Sequence, residues 1–376
     1  MKKIVITKIP LKYFYYFQYL IFGLHELERA KVIILKIKPA SFIDYIFYRF
    51  YFLFIVLNKY SSSFRMMVKE QYLLEGYCEE NDKKVYFCYD IADSPNFYDI
   101  DKLKIVDIYF KAQCPIHFNR NGFELTSRAV LPYPNGLFEY IEKIKPSMLG
   151  PGFKVNNIFS HSKLKNKYEE MLVDDSKVFH KKSIMCYFGN SKGAKAVKVD
   201  NPDLYAKESH ILGFFDEKVA HPNIKRGIAA KILTEILPDS DARIIHEGNS
   251  DAGYRPSKSP LFIPIESFSR HISDFRYNLN ISGHRMSIPY RFIHSFAVGT
   301  SIVTDKLKLK WYLPFGKEVI ETVEMGYLPV NEVDWVGFKE QIKNLPVNDS
   351  KEIRNAYNEK WSPKAFALYI VNALKK

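Results

Sequence analysis

Residues 275–315 read FRYNLNISGHRMSIPYRFIHSFAVGTSIVTDKLKLKWYLPF. Tyr277 to Ile281 alternates as a short strand does and ends at Ser282-Gly283-His284. Tyr290 to Val298 has helical apolar spacing and closes on Gly299, and the β-branched run Thr300 to Thr304 predicts another strand. Strand, glycine turn, helix, glycine and strand make one βαβ unit, the building block of nucleotide-binding sheets. Arg291 inside the helix and His284 with Arg285 on the turn add positive charge. Cations beside a glycine turn and a helix start suit a diphosphate.

The same alternation extends in both directions. Strands are expected at Lys2 to Ile9, Lys31 to Lys38, Lys83 to Tyr89, Ile105 to Lys111, Ser183 to Phe188 and Ala242 to His246. Helical spacing marks Tyr13 to Arg29, Ser41 to Asn58, Pro222 to Leu237, Trp335 to Leu345 and Lys351 to Lys375. Strands alternating with helices predict an α/β protein. The 376 residues suit two domains of about 150–200 residues. Pro146, Gly150-Pro151-Gly152 and the polar HSKLKNKYEE segment look like a linker with a connecting helix, so the expected domains are residues 1–175 and 176–376.

The net charge of +13 favours anionic partners: nucleotides, acidic membranes or nucleic acid. Basic residues are spread rather than gathered in a stripe and no nucleic-acid motif occurs, so nucleic acid is not expected. Cys78, Cys88, Cys114 and Cys186 form no CxxC pair and read as reduced, inert core thiols, which fits a cytoplasmic setting. Ile4 to Ile9 is too short and too interrupted for a secretory h-region. Ile43 to Leu57 is broken by Asp44 and Arg49 and falls short of a span. Its aromatic band, with Phe50, Phe52 and Phe54, reads as core or as an interfacial membrane face.

Four groups of residues could carry chemistry. Gly189-Asn190-Ser191-Lys192-Gly193 permits close backbone approach to a phosphate or sugar, or is an ordinary turn. Arg226, near the head of its helix, opposes the macrodipole and so points to a ligand or to a solvated surface arginine. Arg291 is a phosphate fork or a solvated helix residue. Asp90 and Asp93, past the end of a strand, could act as a general base on an acceptor hydroxyl, or begin a turn. The DxD spacings at Asp99–Asp101 and Asp239–Asp241 read as surface carboxylates, and no metal site is expected.

Five pieces follow one another in order: Gly189-Asn190-Ser191 with Arg226, then Ser287-Ile288-Pro289-Tyr290-Arg291-Phe292, Gly299-Thr300-Ser301-Ile302-Val303, Trp311-Tyr312-Leu313-Pro314-Phe315 and Tyr327 to Val330. Together they resemble the CAP10-like glycosyltransferases, the family of protein O-glucosyltransferases and capsule-associated xylosyltransferases. The resemblance covers residues 183–345. It implies a GT-B fold, two Rossmann-like domains facing across a cleft, and inverting sugar transfer without a metal or other cofactor. It further implies that Arg226 and Arg291 neutralise the leaving diphosphate and that Gly189, Asn190, Ser191, Gly283, His284, Gly299 and Thr300 border a UDP-linked donor. Asp93 or Asp90 would be the base. The expected acceptor is a glycan of a surface polysaccharide or lipopolysaccharide, reached at the inner face of the cell membrane by peripheral contact with anionic lipid. Exostosin-like or fucosyltransferase-like enzymes, and a non-catalytic polyanion binder on a degenerate transferase fold, are the alternatives.

Overall fold

The computed structural model describes residues 1–10, 13–38, 72–126, 129–153, 155, 160–173, 180–189, 222–245, 265–282, 286–326 and 328–375. The expected helix at Ser41 to Asn58 with its aromatic band, the domain boundary near residue 175, and Asn190, Ser191, Gly283 and His284 lie outside those residues.

The first sheet is built from β1 (Lys2–Lys8), β2 (Ile33–Ile37), β3 (Leu73–Glu80), β4 (Lys83–Asp90), β5 (Ile108–Lys111) and the later β9 (Ile144–Pro146). Helix α1 (Gln18–Arg29) connects β1 to β2, and α2 (Ile100–Ile105) connects β4 to β5. Two short antiparallel pieces use β6 (Cys114–Pro115), β7 (Phe123–Thr126) and β8 (Ala129–Leu131). The order is β2-β1-β3-β4-β5-β9. β1–β2, β4–β5 and β5–β9 are parallel, but β3 runs antiparallel to both β1 and β4. The first sheet is thus a parallel α/β sheet with one antiparallel strand, β3, brought in through its hairpin with β4. Asp99, expected to be a surface carboxylate, is buried as the N-cap of α2 and accepts from the Asp101 and Lys102 amides at 3.1 and 3.2 Å.

Helix α3 (His161–Met171) follows, capped by Ser160. The second sheet contains β10 (Lys182–Gly189), β11 (Asp241–Ile245), β12 (Phe275–Asn280), β13 (Ser301–Thr304) and β15 (Val319–Glu321), in the order β11-β10-β12-β13-β15. Every pairing described in it is parallel. Helix α4 (Pro222–Ile236) joins β10 to β11, α5 (Ile265–Ile272) precedes β12, and α6 (Arg291–Ala297) joins β12 to β13. From β10 the chain moves to one side of the sheet, and from β12 it moves to the other. The β10/β12 boundary is thus a topological switch point, and the space beyond the carboxyl ends of these two strands is where such sheets bind ligands.

The strand β14 (Leu309–Lys310) leaves the second sheet and pairs with β6, next to the first. Helices α7 (Trp335–Lys343), α8 (Ser350–Ala356) and α9 (Pro363–Ala373) end the chain. The single helix expected from Lys351 to Lys375 is interrupted by a π-turn at Tyr357–Trp361 and restarted at Ser362, whose hydroxyl caps Ala365 N with Pro363 at the first turn. α9 returns to α1 of the first unit, and the contact requires Gly23: a Cβ there would lie 1.9 Å from Pro363 O. One continuous core runs from Ile4 and Tyr19 to Phe292, Trp311 and Trp361. It fixes the two sheets relative to each other. All four cysteines are buried and unbridged, as expected of core thiols.

Candidate functional site

At the switch point the second sheet presents two arginines. Arg226 comes from α4, the helix after β10, and Arg291 is the first residue of α6, the helix after β12. Arg226 crosses to the neighbouring strand and donates Nε and Nη2 to Ile281 O at 3.3 and 3.0 Å, so its guanidinium rests on the carboxyl end of β12. Burial, and then the Arg291 charge, push its pKa down to about 10. Burial likewise lowers that of Arg291. Two cations close enough to oppose one another are costly to hold together in a partly dry site, and an anion between them relieves that cost. Gly189, the last residue of β10, lies at the same edge.

The floor of this edge is a polar network that sequence reasoning missed. Asp305, directly after β13, is buried; it accepts from Ser282 N and Oγ at 2.9 Å and from Gly326 N at 3.1 Å. It thereby ties the ends of β12 and β13 to the segment after β15. Buried Lys225, beside Arg226, donates to Met325 O at 3.1 Å and Leu328 O at 3.0 Å as well as to Gly326 O. Burial depresses its pKa to about 8, with Asp305 acting in the other direction. A lysine followed by an arginine at a helix head was the available signal; its carbonyl partners lie about a hundred residues away and leave no local trace.

Gly299 and Thr300, expected to border the donor, do not join this cluster. They sit at the amino end of β13, where Thr300 Oγ1 donates to Phe275 O at 2.9 Å, at the start of β12. In a parallel sheet that is the edge opposite Ile281. Gly299 is needed for packing instead: its φ is +77° and a Cβ would meet Ser350 O at 2.6 Å. Their assignment to the donor site is corrected to a structural one.

On the facing unit, the two aspartates separate into different roles. Asp90 is fully buried; its carboxylate accepts from Tyr109 Oη at 2.6 Å, Lys111 Nζ at 2.9 Å and Ala92 N at 2.7 Å. A carboxylate so engaged does not reach an acceptor hydroxyl, and Asp90 is corrected from candidate base to the anchor of the loop that follows β4. Asp93 is exposed on that loop. Burial above all, with the Asp93 charge as the least contribution, raises the pKa of the Tyr16 phenol, whose ring lies 6.3 Å from that of Tyr290, the neighbour of Arg291. An exposed carboxylate from the first unit and the helix that Arg291 opens in the second therefore approach one aromatic junction.

The backbone at that junction is held from both sides. Gln113, just after β5, makes a reciprocal pair with Ile288, accepting from its N–H at 3.0 Å and donating to its C=O at 3.1 Å. From beneath, Asn278 donates to Ser295 Oγ at 2.9 Å, and Ser295 donates to Arg291 O at 3.0 Å.

His294, one helical turn beyond Arg291, is buried with Nδ1 2.7 Å from Ser269 Oγ, and faces a small cavity formed with Gly152 and Phe153. Burial lowers its pKa from 6.5 to about 4. Between these values the unfolded chain binds a proton that the native chain does not, so stability falls as pH drops from about 6.5 towards 4. His294→Gln is expected to flatten that part of a urea-midpoint-versus-pH curve by about one proton; an unchanged slope would show that other groups set it.

No protein-family model matches the sequence, and no curated protein matches it. Among solved structures, S. aureus TarM in complex with UDP is similar over 100% of both chains at 10% identity and a TM-score of 0.38. A glycosyltransferase from Rickettsia africae is similar over 99% of this chain and 97% of its own at 9% identity and a TM-score of 0.33. A GtfA/B complex is similar over 81% and 70% at 11% identity and a TM-score of 0.36. These are likenesses of outline, too loose for any residue to be carried across.

Proposed function

We propose that the chain is a glycosyltransferase whose nucleotide-sugar donor lies beyond the carboxyl ends of β10 and β12. One observation carries the reading: Arg226 and Arg291 sit on the two helices that leave the switch-point strands, and Arg226, bound to Ile281 O at the carboxyl end of β12, is within reach of the Arg291 charge. A departing nucleoside diphosphate gains negative charge as the glycosidic bond breaks, and fixed cations beside it stabilise that charge. The Gly189 loop borders the nucleotide, which we take to be UDP. Asp93, on the facing unit, is the base that deprotonates the acceptor hydroxyl for in-line, inverting attack. Two arginines supply the charge that a divalent ion would otherwise bring.

The acceptor we propose is a surface glycan, assembled at the inner face of the membrane. The motif resemblance to CAP10-like enzymes and the basic charge of the chain support this reading; no described helix is long and apolar enough to cross a bilayer. The test is UDP release from a panel of UDP-hexoses and UDP-pentoses in EDTA. Release with at least one sugar, undiminished by the chelator, is expected. Loss of release in EDTA would remove the metal-independent mechanism. Binding to any polyanion with steep salt dependence, and no UDP release, would favour the polyanion-binder reading instead.

A further inference from the structure

The first strand opens into a run of aromatic residues, Tyr13-Phe14-Tyr15-Tyr16, which stays half-buried at the margin of the core and takes no part in the donor site. The tyrosines that build the core are closed off: Tyr19, Tyr89, Tyr98, Tyr109 and Tyr357 are each at most 2% exposed. Tyr13, Tyr15, Tyr16, Tyr72, Phe97 and Tyr290 are only half-buried. They come from four separate stretches of chain and form one continuous row. Phe97 lies edge-on to Tyr72, with centroids 6.3 Å apart, and Tyr72 stacks on Tyr13 at 4.8 Å. Tyr13 reaches Tyr16 at 6.4 Å, and Tyr16 reaches Tyr290 at 6.3 Å. Tyr13 and Tyr72 also bring their hydroxyls to 3.3 Å. Within the row, Tyr16 is the ring that feels the Asp93 charge, and its neighbour Tyr290 adjoins Arg291 in the chain.

We infer that this row is the acceptor-binding platform and that its occupant is a carbohydrate. A pyranose offers a flat face of C–H groups to an aromatic ring and a rim of hydroxyls to phenols. Tyrosine meets both demands at low conformational cost, because its apolar body packs while its hydroxyl stays polar. Tyr13, Tyr16 and Tyr72 pack against the core from outside, which fixes the rings before any sugar arrives. A sugar lying along the row presents a hydroxyl to Asp93 on one side and faces the donor held by Arg291 on the other. The platform rests on the transferase reading for its position, but its chemistry can be tested separately.

The test is retention on immobilised neutral oligosaccharides of hexoses and N-acetylhexosamines, with and without saturating UDP, while UDP affinity is measured in parallel. Wild type is expected to be retained. Tyr13→Ala/Tyr16→Ala should weaken retention by about tenfold and leave UDP affinity unchanged, while Tyr13→Phe/Tyr16→Phe keeps most of it. If the double alanine variant does not fold, Tyr72→Ala provides the same comparison. No retention by wild type that binds UDP, or retention indifferent to these substitutions, overturns the platform. Tyrosine-dependent retention by a wild type that does not bind UDP would sink the transferase reading while leaving a carbohydrate-binding surface.

Discussion

Arg291→Ala is expected to lower kcat for UDP-sugar turnover by about 10²–10³-fold while changing the donor KM far less. The asymmetry follows from when the charge appears. In the ground state the diphosphate shares its charge with the sugar bond and is held by Arg226 and the Gly189 edge as well. As that bond breaks, negative charge builds beside the guanidinium, on a backbone that the Gln113–Ile288 pair and the Ser295–Arg291 bond keep in place. Arg291→Lys should restore only part of the rate, because an ammonium keeps the charge and loses the planar fork. Arg226 already gives two donors to Ile281 O, so its loss should raise KM as well. A kcat for Arg291→Ala within about threefold of wild type, well below the loss of one oxyanion donor, would remove the arginine from the leaving-group role.

Lys111→Met is expected to destabilise the fold by about 3–5 kcal/mol in urea denaturation. Lys111 and Asp90 both have 0% side-chain exposure and meet at 2.9 Å. Removing the cation leaves a buried carboxylate with only Tyr109 Oη and Ala92 N as partners. Lys111 is also boxed by the Tyr98 and Phe97 rings, at 5.2 and 5.8 Å. The double variant Asp90→Asn/Lys111→Met should recover much of the loss, since no uncompensated charge then remains. Equal stability of the single and double variants would mean that an uncompensated buried carboxylate is not what the single variant costs. Because Asp90 anchors the loop that carries Asp93, the single variant should also lower turnover.

The second sheet was largely legible in the sequence; in the first, β1, β2, β4 and β5 were legible and β3 and β9 were not, for a physical reason. Parallel strands buried on both faces read as short apolar runs, and their glycine turns and intervening helices follow in strict alternation. SIVT, buried at every position, is of this kind. β3, LLEGYCEE, carries Glu75, Glu79 and Glu80 and a mid-strand glycine, each a reason to pass over it. The structure explains the exceptions. Glu75 pairs with Lys102 at 2.9 Å, Glu79 pairs with Lys3, and a Cβ at Gly76 would lie 2.6 Å from Val5 O. Those partners come from other strands and one helix, and no local window contains them.

In the site, Arg226 and Arg291 could be found because each opens or nearly opens a helix that follows a strand. Gly299 and Thr300 were misassigned for want of attention to direction: a glycine after a helix and before a strand lies at the amino edge, away from ligand. Lys111 was within reach of the sequence, since a lysine in the strand IYFK is almost never buried without a partner. The Gln113–Ile288 pair joins residues 175 apart and has no sequence signature.

The central claim is that a nucleoside diphosphate binds between Arg226 and Arg291. Calorimetric titration of UDP into wild type and into Arg226→Ala/Arg291→Ala tests it most directly. The account predicts saturable binding by wild type and weakening by at least about tenfold in the double variant, as expected when charge-assisted bonds to a diphosphate are lost. Binding of equal affinity by both proteins, or no binding of UDP or any other nucleoside diphosphate by wild type, would contradict it.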